Sequence, residues 1–146
     1  MFGKISGVMK NILISVVAAM GLLGGLVAKA DSPLGEQMER IDGAYKALKK
    51  GGDAAAGVKE SREGQAAVLK AVALVPEMVA KMPDGAAKEK EIAAFKQQMG
   101  ELYVVFCKAE LTFLAGAPGQ EKIDELVELF KAAKKGGHDR FIEEEK

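Results

Sequence analysis

In Ser32-Pro33-Leu34-Gly35-Glu36-Gln37-Met38-Glu39-Arg40-Ile41-Asp42-Gly43-Ala44-Tyr45-Lys46-Ala47-Leu48, apolar side chains recur at 34, 38, 41, 45 and 48. Spacings of four and three place them on one stripe of an α-helix. Ser32 suits the N-cap and Pro33 the first turn. Lys49 and Lys50 favour the negative end of the helix dipole, and Gly51-Gly52 ends the helix.

The same period recurs along the chain, and no alternating strand-like run appears. Asp53 starts a second helix with Ala55, Val58, Ala66, Leu69 and Val72 as its expected inner face. Gly57 and Gly64 lower its helical preference by about 1 kcal/mol each. Pro76 ends it, and residues 75–85 are expected to be an irregular connection closing on the turn Pro83-Asp84-Gly85. A third helix is expected over residues 86–115, with Ile92, Phe95, Met99, Leu102, Phe106, Ala109 and Phe113 inward. Tyr103, Val104, Val105 and Cys107 widen its apolar surface toward a second side. After the turn Gly116-Ala117-Pro118-Gly119, a last helix buries Ile123, Leu126, Val127, Phe130 and Ala133. Four helices with short first and last loops predict an all-α fold, an antiparallel up-down-up-down four-helix bundle.

Residues 1–30 differ from the rest. Lys4 and Lys10 flank an apolar run from Ile12 to Ala28, Ala28-Lys29-Ala30 has the small-x-small form of a cleavage site, and no acid precedes Asp31. That is the pattern of a secretory signal peptide, cleaved after Ala30, and it implies a periplasmic protein. Gly21, Gly24 and Gly25 disfavour a permanent membrane helix. The bundle domain is then 31–146, and the membrane matters only before cleavage. Removing three signal lysines leaves 18 basic against 21 acidic side chains, a net charge near −3. Bulk electrostatics therefore exclude a nucleic-acid binder. Cys107 is a single cysteine with no internal disulfide partner, expected as a buried, inert thiol. No Glu-x-x-His motif or convincing carboxylate pair suggests an enzyme.

The chain has one histidine, His138, and no tryptophan. In the expected bundle, the start of the first helix lies beside the end of the last. Met38 is about 6 Å into the first and His138 about 9 Å from the end of the last, at the same end of the bundle. A thioether and an imidazole facing one another there would form an axial pair for haem iron. Ile41, Tyr45 and Phe95 could supply apolar walls. Taken alone, Met38 reads as a packing residue rather than a ligand, and His138 reads at least as well as part of a tail beyond a helix end at Gly136-Gly137.

Leu34-Gly-Glu-Gln-Met38, Phe95-Lys-Gln-Gln-Met99 and Lys134 to Phe141 together resemble segments of the soluble cytochrome b562 family, as does Ala55-Ala56 with Val58-Lys59. The resemblance spans the mature chain. It implies a noncovalent b-type haem held by Met38 and His138 and one-electron transfer. Redox partner proteins and a monomeric chain are the accompanying expectations. Phe95 and Met99 stand where two apolar side chains press on the haem. Lys134 stands where a basic residue neighbours its edge. Met99 departs from the usual aromatic, and Gly136-Gly137 from ordinary helix formers. Covalent attachment is excluded, since it needs cysteines where Lys134 and Gly137 stand. The alternative expectation is a haem-free envelope-binding bundle that keeps only the fold.

Overall fold

The computed structural model describes the backbone of residues 32–142 and the side chains of residues 32–134. The expected signal peptide, its cleavage site and the acidic tail from Glu143 lie outside the described residues. Among those described, the chain is helical without strands. α1 is Pro33–Lys49, α2 Ala54–Val72, α3 Glu77–Ala80, α4 Ala86–Leu114 and α5 Gln120–Ile142. The four long helices pack together as a bundle: α1 on α2, α2 on α4, α4 on α5 and α5 on α1. None of the described helices is long and apolar enough to cross a membrane.

Local chemistry sets the ends. The Ser32 hydroxyl accepts from the Gly35 amide at 2.9 Å, and the Asp53 carboxylate from the Ala56 amide at 2.8 Å. Each cap satisfies an amide that the first helical turn leaves without a partner. Gly51 and Gly52, at φ of 74° and 116°, turn the chain from α1 toward α2 in a region that favours glycine. The connection after Val75 is not wholly irregular. Pro76 caps a single turn, α3, which buries Val79 against the bundle.

The expected stripes of α1 and α5 are the observed ones, and so is that of α4 from Phe95 onward; Ile92 is only partly buried, and Glu91 takes the buried position beside it. Met38, Ile41 and Leu48 meet Phe95, Met99, Leu102, Phe106 and Phe113 of α4 and Ile123, Leu126, Phe130 and Ala133 of α5 in one core. The stripe of α2 is only in part the expected one: Val58 and Val72 pack half-buried against the core, whereas Ala55 and Ala66 are exposed. Leu69 is 55 % exposed, and the buried positions are Gly57, Ser61, Gly64, Ala67, Val68 and Ala71. Phe113 lies where a Cβ on Gly57 would be, and Phe106 where one on Gly64 would be. Small residues therefore face inward because the phenyl rings of α4 fill the space. Inside this tight contact, the Ser61 hydroxyl donates to the Gly57 carbonyl at 2.7 Å, so its polar group is satisfied within its own helix.

At the rim of the same contact, Arg62 and Gln65 of α2 each donate to the Glu110 carboxylate of α4 at 2.6 Å. The Gln65 hydrogen bond, then that of Arg62, holds the Glu110 carboxyl below its ordinary pKa.

Cys107 is half-exposed rather than buried. Its thiol interacts with the neighbouring Tyr103 hydroxyl, and this raises the tyrosine pKa. The inert core thiol expected from the sequence is corrected: Val105 and Phe106 take the inner positions of that turn, and Cys107 rotates outward.

Candidate functional site

α1 and α5 bring the expected residues together one turn at a time. On α1, Met38, Ile41 and Tyr45 fall on the inward stripe. On α5, Phe130 and Lys134 are one turn apart. The Tyr45 and Phe130 rings tilt against each other at a centroid distance of 5.0 Å. Lys134 Nζ lies 4.8 Å from the centroid of the Tyr45 ring, a cation–π contact.

These side chains enclose a crevice lined by Met38, Ile41, Asp42, Tyr45, Leu102, Phe130 and Lys134. Four of the seven residues singled out in the sequence, Met38, Ile41, Tyr45 and Lys134, thus share one cavity wall. Phe95 and Met99 are buried in the continuous core but do not line this crevice. His138 falls on the helical backbone of α5, which runs unbroken through Gly136-Gly137 to Ile142. Its side chain lies outside the described residues. The backbone decides one open point: His138 belongs to a helix and not to a tail beyond a C-cap.

Three lining residues were missed. Leu102 follows Met99 by three and Phe130 precedes Lys134 by four, so both lay on stripes already drawn. Asp42 had no apolar pattern to mark it. Its carboxylate holds Lys46 at 2.6 Å and also faces Lys134 electrostatically. Burial lowers the Lys134 pKa; Asp42 acts against that shift, while Lys46 and Lys49 add to it.

The crevice walls are largely apolar around one buried thioether, that of Met38. Met38 is 1 % exposed, its neighbours are aliphatic or aromatic, and the one cation at the mouth is only half-buried. The space is much smaller than the group. The crevice encloses about 10 Å³, whereas small-molecule sites begin at about 300 Å³. Entry of a macrocycle therefore requires α1 and α5 to part.

A larger depression of about 690 Å³ runs along the outside of α2 by Ala55, Val58, Arg62 and Ala66. It is broad and open to solvent, and none of the expected site residues touches it, so the crevice remains the better candidate. Two buried carbonyl oxygens, Gln37 Oε1 and Gln98 Oε1, have no hydrogen-bond partner. Each adjoins a buried methionine in sequence, Met38 and Met99. No protein-family model matches this chain, and neither a curated protein nor a solved structure matches it.

Proposed function

We propose that the mature chain, residues 31–146, is a periplasmic electron carrier of the cytochrome b562 type, holding one noncovalent b-type haem between Met38 and His138. The observation that carries this proposal is the continuous backbone of α5 through Gly136-Gly137. It keeps His138 on the helix that already meets α1 through Tyr45.

An antiparallel up-down-up-down course supports the pairing. Seven residues separate Gly57 from Gly64, and seven in the opposite sense separate their partners Phe113 and Phe106. α2 and α4 therefore run in opposite directions. Short loops reverse the chain between α1 and α2 and between α4 and α5. α1 and α5 are then also opposed. From the Tyr45–Phe130 contact, Met38 is seven residues back along α1, about 10 Å, and His138 eight residues on along α5, about 12 Å. The two ligands come to nearly the same level.

Each residue has a role within this proposal. Met38 would supply a thioether and His138 an imidazole to hold the group, which would leave no iron position open to a substrate. The protein is then a carrier and not an enzyme. Ile41, Tyr45, Leu102 and Phe130 line the crevice and would keep water from a bound group. Phe95 and Met99 support those walls from within the core. Lys134, strained electrostatically by its burial, gains a partner if a propionate lies at the crevice mouth. The bound group supplies a one-electron couple, and apolar burial with a methionine ligand favours its reduced form. Redox partner proteins would meet the edge beside Lys134.

The test is a haem titration of the purified protein followed by its absorption spectrum. A low-spin Soret band that is lost in His138→Ala and in Met38→Ala is the expected result. No haem uptake, or the same spectrum in both variants, would sink the proposal.

A second function is favoured by one observation, the small size of the crevice around Met38, about 10 Å³. In it the chain is a haem-free envelope-binding bundle that retains only the fold. Thermal melts separate the two: added haem raises the melting temperature of a haem protein and leaves that of a haem-free bundle unchanged.

A further inference from the structure

α4 carries two stripes. The inner one, Phe95 to Phe113, fills the core. A second one, Gly100, Val104, Cys107, Leu111 and Leu114, follows the same spacings of four, three, four and three on the outer face. Val104 is 51 %, Leu111 68 % and Leu114 57 % exposed. The stripe is about 21 Å long. Its period is that of a coiled-coil seam, and among the described residues none covers Val104, Leu111 or Leu114.

We propose that this stripe pairs antiparallel with the same stripe of a second copy, making a two-fold dimer through α4 in place of the monomer expected from the sequence. The choice of occupant rests on self-complementarity. With one copy reversed, each Gly100 stands opposite a Leu111 of the second copy, small against large. Each Val104 stands opposite a Cys107. At the flank, Glu101 of one copy meets Lys108 of the other, and the two-fold axis repeats this pair. Glu101 and Lys108 are both exposed and take part in none of the ion pairs among the described residues. A parallel pairing fits less well: Gly100 would face Gly100 and leave a gap, and Lys108 would face Tyr103. A closed, isologous contact of this kind requires one patch to complement itself, whereas a helix from an unrelated protein would not need Glu101 and Lys108 at matching positions.

The test uses protein expressed from the full sequence, kept in reductant so that Cys107 forms no covalent link, and studied by sedimentation equilibrium. The wild type should sediment with the mass of two chains, and Leu111→Glu with the mass of one. Glu101→Lys alone and Lys108→Glu alone should each weaken association about tenfold or more, because each sets like charges across the seam twice. The double variant E101K/K108E should restore it. Circular dichroism confirms that each variant is folded. A wild type that keeps single-chain mass up to millimolar concentration overturns the proposal. So does a double reversal that stays as weak as the single ones. A helix from another protein would leave the purified chain single in mass, which is the first of these results.

Discussion

Replacing Gly64 by alanine should destabilise the protein, although alanine is the better helix former. A Cβ at position 64 would lie 2.6 Å from Phe106 Cζ and nearer still to the ring's Cε1 edge. Ordinary carbon contacts are about 3.5–4.0 Å, so the ring must retreat by about 1 Å. It has little room: Phe106 is fully buried, and its ring packs edge-on against Phe130 at 4.8 Å. Overpacking of this kind costs about 1–3 kcal/mol, and a pinned aromatic belongs at the upper end. The helix-propensity gain offsets about 1 kcal/mol, leaving a net loss of about 2 kcal/mol. For a domain of this size, that is a fall of about 10 °C in melting temperature. Gly43→Ala in α1 is the control. Its Cβ meets nothing within 4 Å, so the same change should stabilise by up to about 1 kcal/mol. Urea melts followed by circular dichroism measure both. If Gly64→Ala and Gly43→Ala raise the midpoint alike, α2 and α4 do not approach as closely as described.

Gln98→Leu removes a buried carbonyl oxygen that has no partner, and should raise stability by about 1 kcal/mol in a urea titration. Asp53→Ala should cost about 1 kcal/mol by leaving the Ala56 amide without its cap, read in the same assay. Glu110 has its pKa held below the ordinary 4.5. Its contribution is therefore complete above that value and is lost as pH falls through the lower, folded pKa. Glu110→Gln should flatten this part of the acid unfolding curve, and an unchanged slope would count against the Arg62–Gln65–Glu110 cluster.

Helix starts were legible because a cap is a local event: Ser32 and Asp53 act within three residues of themselves. The stripes of α1, α4 and α5 were legible because their large apolar residues also point inward. The face of α2 was not. Hydropathy favoured Leu69, which is exposed, but the partner surface presents Phe106 and Phe113, and glycine at 57 and 64 leaves room for their rings. Those glycines had been counted as a cost to helicity, and the reason for them lies about 40 to 60 residues away, at Phe106 for Gly64 and Phe113 for Gly57. A similar long-range effect displaced Cys107, whose neighbours Val105 and Phe106 won the inner positions. At the candidate site, residue type and helical spacing brought Met38, Ile41, Tyr45 and Lys134 to one wall. They gave no sign that the wall would be closed, because crevice width depends on how two helices settle against each other.

The unbroken course of α5 through Gly136-Gly137 has a consequence for binding kinetics. Two glycines inside a helix weaken the last turns by about 2 kcal/mol relative to alanines. If those turns unwind as a unit, the two glycines shift that equilibrium toward the unwound form by about thirtyfold relative to alanines, and apparent affinity at this end falls in proportion to the ordered fraction. The same weak point supplies a low barrier for exchange. A bundle otherwise locked by Phe106 and Phe113 would load and release a ligand by melting two turns at its end, while the α2–α4 half stays folded.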